Sequence, residues 1–356
     1  MKPAPSHKGV PTALLLTPKD ENILRLFGKF RLLTAQEITH LCYSGWVGKT
    51  TPKTKDSVPT GSLTYARSRL SALSGHQDIT DKSLTYGYPL WRVSFPTGKR
   101  GTNEKIFALS LTGRQMLEGL GIPVSWHMRP SRLRTFAHST LLHDLTHNRF
   151  VVAMHAWAES SKPNLRIESH LSYELSQAPI TVEIPVPSSR LVRGELVEIP
   201  VMTKVGVIPD GEIVITNTST GERLLILLEI DHNTQAPERL RNHIAALLAY
   251  TKSLHFKRRY GNIPYRILYA TQGVTDTASK SRLAYLCDFT LKLLTESKRT
   301  RDSQYFRFTT IEFARLYTDA KRLFDDAEPS WYLPGDVKQQ SPVALFTEAK
   351  PQPQKE

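Results

Sequence analysis

Val207-Ile-Pro-Asp210-Gly-Glu-Ile-Val-Ile-Thr216 and Arg223-Leu-Leu-Ile-Leu-Leu-Glu229-Ile-Asp231 flank the polar stretch Asn217-Thr-Ser-Thr-Gly-Glu222, the pattern of an antiparallel hairpin. Leu224 to Leu228 is continuously apolar, which predicts a strand covered on both faces. A hairpin closed about Ser219 and Thr220 sets Asp210 opposite Glu229, on one face of the sheet. Asp231 follows Glu229 by two residues and shares that face. Three carboxylates this close repel one another unless one is protonated or a cation sits among them. A hard divalent ion, Mg²⁺ or Mn²⁺, accepts such an oxygen set and bridges it to phosphate. The same residues also read as an exposed Pro-Asp-Gly turn and two surface acids, and spacing alone leaves both readings open.

The composition bounds the partners. Net charge is +14 and the pI is about 9.7, so a polyanion is expected. Residues 1–130 hold 18 Lys and Arg against 8 Asp and Glu, leaving 29 against 25 for the rest, so the basic excess is N-terminal. No apolar run reaches the ~18 residues that span a bilayer, and Thr12 to Leu16 is too short for a signal-peptide core. A cytoplasmic protein with no membrane partner is the expectation. Cys42 and Cys287, the only cysteines, sit in apolar helical contexts and read as buried reduced thiols.

The basic N-terminal segment has helical punctuation. Thr17-Pro-Lys-Asp20 and Thr34-Ala-Gln-Glu37 are capping boxes, each followed by an apolar stripe: Ile23, Leu24 and Phe27, then Ile38, Leu41 and Cys42. Ser62 to Leu73 carries Leu63, Ala66, Leu70 and Leu73 on one face, with Tyr65, Arg67, Ser68 and Arg69 largely off it. Trp91–Phe95 and Lys105–Leu109 alternate as strands around a basic tip containing Lys99 and Arg100. Thr112-Gly-Arg-Gln115 then caps another helix. Two short helices, a third with arginine, serine and tyrosine outside, and a basic two-stranded wing predict a winged helix-turn-helix. Its third helix would read base edges in double-stranded DNA, with Lys99 and Arg100 on phosphate.

Ser131 to Trp157 reads as a helix holding His143 and His147 four residues apart, without a third ligand at metal-site spacing. Leu165 to Leu175 and Ile180 to Val186 are short strand-like runs, followed by proline-rich breaks through Pro200. Pro237 to Leu254 is helical and leads from Lys252 into Lys257-Arg258-Arg259; Ile263 to Thr271 is a strand and Ser281 to Leu294 a helix. Neither a Walker loop nor a dinucleotide-binding glycine motif is present.

Pro209-Asp210 with Glu229 and Asp231 at a hydrophobic strand's end resembles the PD-(D/E)XK nuclease hairpin, with the usual Lys replaced by Asp231. Leu228-Glu-Ile-Asp231 followed by Thr234 resembles, more closely, the replication-relaxation family of plasmid and mobile-element proteins. So do Phe107-Ala-Leu-Ser-Leu-Thr-Gly-Arg114 and the pattern His143, Asn148, Phe150 before Val151-Val-Ala-Met154. The resemblance implies an α/β (α+β) protein: a winged helix over residues 1–125, a PD-(D/E)XK-like domain with a central mixed sheet over 126–330, and a disordered tail over 331–356. It implies a role in plasmid replication or DNA relaxation, alongside other replication or mobile-element proteins. A metal-dependent DNA endonuclease would use Asp210, Glu229 and Asp231 on Mg²⁺ or Mn²⁺. Lys252 or Lys257 would replace the missing Lys, and His143 or Asn148 would lend support. The alternative is a non-catalytic initiator or transcriptional regulator that keeps a degenerate nuclease fold.

Overall fold

A computed structural model describes residues 16–43, 60–79, 87–96, 103–124, 126–135, 138–171, 180–192, 195–233, 235–273, 275–327, 329–335, 337–339 and 341–346. The protein is mixed α/β and divides into two compact units, residues 1–152 and 153–356. Among the described residues no helix is long and apolar enough to cross a membrane.

In the first unit, α1 (Pro18–Lys29) starts where the sequence punctuates it. The Thr17 side chain accepts from the Asp20 backbone N–H, while Asp20 accepts from the Thr17 backbone N–H at 2.8 Å, and Pro18 occupies the first turn. β1 (Leu32–Thr34) runs directly into α2 (Ala35–Tyr43), and α3 (Thr60–Leu73) packs on α2. β2 (Leu90–Pro96) and β3 (Asn103–Leu109) form the antiparallel pair expected, and β1 adds to β3, giving the order β1-β3-β2. α4 (Leu111–Gly119) is capped by Ser110 rather than from Thr112: Ser110 Oγ accepts from Gly113 N at 3.1 Å and donates to Tyr88 O at 2.6 Å. Gly113 is required here because a Cβ would lie 2.2 Å from Pro89 O.

The predicted boundary at residue 125 is not where the first unit closes. After α5 (Pro130–Thr135), α6 (His138–Ser161) runs through the division at Val152. Asn148 donates to Leu32 O at 2.7 Å, and buried Arg149 pairs with Glu37 at 2.6 Å and Glu104 at 3.2 Å. Glu37 thus closes the second capping box, accepting from Thr34 N at 2.7 Å, and also neutralises Arg149. A guanidinium buried this deeply is tolerated only because two carboxylates meet it.

In the second unit a five-stranded mixed sheet runs β10-β9-β8-β7-β4: β10 (Phe306–Thr310), β9 (Tyr265–Thr271), β8 (Arg223–Asp231), β7 (Gly211–Asn217) and β4 (Leu165–Leu171). β8, β9 and β10 are parallel; β7 and β4 continue antiparallel. Leu225 to Leu228 are fully buried, as their unbroken apolar run predicted, and each contributes about 1.5–3 kcal/mol of burial free energy. α7 (Pro237–Lys252), α8 (Leu254–Tyr260) and α9 (Asp276–Glu296) complete the core, with Leu240, Ile244, Leu247, Leu283 and Leu286 meeting Leu225, Leu227, Ile267 and Phe308.

Two expectations are corrected here. The proline-rich stretch forms a ribbon, β5 (Ile180–Val192) paired with β6 (Glu195–Val207), in which Pro187 faces Pro200 and Pro185 faces Met202. All three prolines fall at one parity of the register, so their missing N–H groups lie on one set of ladder positions and the alternate set keeps its donors. The predicted disordered tail is ordered over its described part: Trp331 is buried, donates to Leu323 O at 2.6 Å and bridges to Val343, while Tyr332 bridges to Phe308. Residues 347–356 lie outside the described residues.

Candidate functional site

The hairpin closes as its symmetry predicted: Gly211 pairs with Leu228, so Asp210 stands one step further on, level with Glu229. Asp210 Oδ2 accepts the Ile230 backbone N–H at 2.7 Å. Glu229 and Asp231 lie at the carboxyl end of β8, beside Tyr269 and Thr271 of β9 and on the face covered by α7 and α9. Both acids are buried, each 4% exposed.

Each of those two acids meets a basic side chain from the protein itself. His243, on α7, places Nε2 2.9 Å from Glu229 Oε2. Burial opposes protonation of His243, but Glu229 and Asp210 outweigh it, and the imidazole is held above its ordinary value. Arg282, on α9, grips Asp231 with two N–H groups at 2.8 and 2.9 Å. Thr271 Oγ1 and Asn233 N donate to Asp231 at 3.0 and 3.3 Å. Burial and the surrounding acids, Glu229 first among them, drive the Tyr269 phenol well above its usual range, so it stays protonated.

Of the three acids expected to hold Mg²⁺ or Mn²⁺, Asp231 already meets a guanidinium through both oxygens. That bidentate geometry supplies the positive charge a metal would bring. Among the described residues no group of three or more His, Cys, Asp or Glu side chains could hold a metal.

The lysines expected to assist lie elsewhere. Lys252 pairs with Asp302 at 3.0 Å, just before β10, where Tyr305 stacks on Tyr265 at the start of β9. That end of β9 is four to six residues from Tyr269 and Thr271, about 13 to 20 Å at ~3.3 Å per residue. The cause is helix length: α7 begins beside the carboxylates, and its 16 residues carry Lys252 across the sheet. Lys257 is exposed on α8, where the neighbouring Arg259 and Tyr260 serve another buried acid. Of the candidate supports, Asn148 donates to Leu32 O within the first unit, and His143 lies 3.8 Å from its neighbour Asp144.

In the first unit, α3 buries Ala66, Leu70 and Leu73 completely and exposes Thr64, Arg67 and Ser68. Tyr65 is 38% exposed and meets Tyr43 edge-on at 5.5 Å, with Lys19 Nζ 5.9 Å from its ring. Arg69 is the exception among the expected base-reading residues, because it turns inward onto the α1 capping acid, Asp20, with Nε–Oδ1 at 2.9 Å. Burial alone would raise the Asp20 carboxyl; Arg69 and Thr17 hold it low. Lys99 and Arg100 lie outside the described residues.

Sequence reasoning passed over three residues that define these sites. Glu212 is fully buried and accepts from Tyr250 OH at 2.7 Å, from Tyr260 OH and from Arg259 at 2.8 Å. Its signal was parity, two residues past Asp210 on the same face. His243 and Arg282 were legible as polar residues on the apolar stripes Leu240-Ile244-Leu247 and Leu283-Leu286, three and four positions along the helix from buried Leu240 and Leu286. Of the two cysteines expected to be buried, Cys287 is, with its thiol raised, whereas Cys42 is only half-buried, though burial still pushes its thiol up to about 11.

The fold and site define a mixed α/β protein of two units with a charge-compensated carboxylate cluster at the end of a parallel strand pair. No family model matches the chain, and no curated protein or solved structure matches it either.

Proposed function

We infer that this is a DNA-binding protein whose second unit is a nuclease-like scaffold that does not cut. The observation that carries the reading is α3, which sets Arg67, Ser68 and Thr64 outward on a fully packed apolar base. An exposed arginine flanked by hydroxyls suits guanine edges and phosphates in a major groove. Two helices, the exposed third helix and a β2-β3 hairpin follow in the order of a winged helix-turn-helix, within the segment that holds most of the basic excess. The resemblance to replication-relaxation proteins gives the setting: replication or relaxation of a plasmid or mobile element. The non-catalytic half rests on Arg282 holding Asp231 and on Lys252 lying at the far end of the sheet.

Fluorescence anisotropy of the full chain with labelled duplexes tests the first half. The wild type binds duplex DNA at moderate salt, and Arg67→Ala relaxes sequence preference by ~1–3 kcal/mol at one base position. Absence of duplex binding at moderate salt overturns the reading. Supercoiled plasmid carrying candidate origins, incubated with Mg²⁺ or Mn²⁺, should stay intact; metal-dependent nicking overturns the non-catalytic half.

A further inference from the structure

Behind α4 the first unit has a cavity of about 570 Å³ lined by Arg114, Arg129, Arg132, His127, Trp126 and Ser131, among others. Three guanidiniums facing one concavity repel each other, and an anion held among them would relieve that repulsion. Glu118, whose charge also reaches His127, meets Arg114 at 2.8 Å in an exposed i,i+4 pair that offsets little charge. His127 records the resulting field. Its imidazole is held below its ordinary value by burial and then by Arg114 and Arg129, with Glu118 a partial counterweight.

The wall is rigid. Trp126 Nε1 donates to Gly28 O at 3.1 Å, tying the segment to α1, and Met128 N donates to Leu109 O at 2.8 Å, tying it to β3. Val124, Met128 and Leu133 are buried and anchor the backbone on both sides. Arg129 and Arg132 therefore leave a fixed frame, which lowers the ordering cost of engaging an anion. Guanidiniums match phosphate oxygens bidentately, the Ser131 hydroxyl adds a neutral donor, and the volume admits a phosphate with its adjoining sugar.

We propose that this cavity is a phosphate-binding site that takes a backbone phosphate of the DNA engaged by α3. The occupant's identity rests on the DNA-binding reading; the phosphate chemistry does not. The site lies outside the segments whose patterns suggested nucleic-acid contact, although Arg129, Arg132 and Arg134 fall within six residues there.

Two measurements on the full chain test it. In the first, log K for duplex binding is followed against log salt for the wild type and for Arg129→Gln/Arg132→Gln. Loss of one phosphate contact should lower the slope by ~1 and weaken binding to all sequences alike. In the second, the His127 ring is titrated by NMR in phosphate-free buffer, with the signal assigned through His127→Asn. Inorganic pyrophosphate should raise its midpoint, because an anion offsets Arg114 and Arg129, and the double variant should abolish the shift.

A His127 response with an unchanged salt slope overturns the DNA occupant in favour of a free nucleotide phosphate. No His127 response overturns the phosphate site itself. If the wild type binds no duplex, the functional reading fails by its own test, and the pyrophosphate titration still decides the cavity.

Discussion

Replacing Arg282 with Met separates a closed carboxylate cluster from one that awaits a metal. The guanidinium is 8% exposed and its partner Asp231 4%, so the substitution leaves a buried carboxylate with Thr271 and Asn233 as donors and no counter-charge. Breaking a buried pair from one side costs ~3–5 kcal/mol, and the two surviving hydrogen bonds favour the lower end, about 3 kcal/mol. In a unit of about 200 residues, where 1 kcal/mol moves Tm by ~2–4 °C, that is a fall of ~6–12 °C. Removing both charges in Asp231→Leu/Arg282→Met should recover most of the loss, since a pair exchanged for apolar groups is often near neutral. The informative assay is thermal denaturation with and without Mn²⁺. Wild type should show no metal increment because Arg282 supplies the positive charge. The freed acids of Arg282→Met, with Glu229 and Asp210 beside them, should gain one, ~1.4 kcal/mol at tenfold saturation. An Arg282→Met cost under about 1 kcal/mol, or a metal increment in the wild type as large as in the variant, refutes this account.

The other expectations concern buried charge and pH. Arg149→Met strands Glu37 and should destabilise the first unit by ~3–5 kcal/mol, read by urea denaturation of the full chain; a loss under 1 kcal/mol would show that Glu37 is satisfied by its capping bonds alone. Glu212→Gln keeps the shape but replaces a charged acceptor of two tyrosines and Arg259, and should cost ~1–3 kcal/mol; no change in the denaturation midpoint would count against the network. His243 sits above its ordinary value of 6.5, so its contribution is fully present below that value and lost as pH rises through the native one. Stability should fall on that alkaline side in wild type, and His243→Asn should flatten the dependence; an identical profile in both would detach the imidazole from Glu229.

What the sequence determined by itself is local. The symmetry of the 207–231 stretch set the β7-β8 register, because a side-chain period of two allows one pairing that buries the apolar face. The capping boxes at Thr17 and Thr34 held because a helix end satisfies its own orphan N–H groups within three residues. The buried face of α3 through Ala66, Leu70 and Leu73 followed from spacing.

Only the tertiary structure decided which charges meet. Asp231 and Arg282 are 51 positions apart, and Arg149 and Glu37 are 112 apart, and no periodicity links them. Lys252 looked close to the carboxylates along the chain, yet the length of α7 set it at the other end of the sheet. Arg69 had the spacing of an outward residue, but Asp20 drew it in. A buried charge takes whichever counter-charge the fold delivers, because leaving it alone costs several kcal/mol, and that delivery depends on how helices of given length cross a sheet.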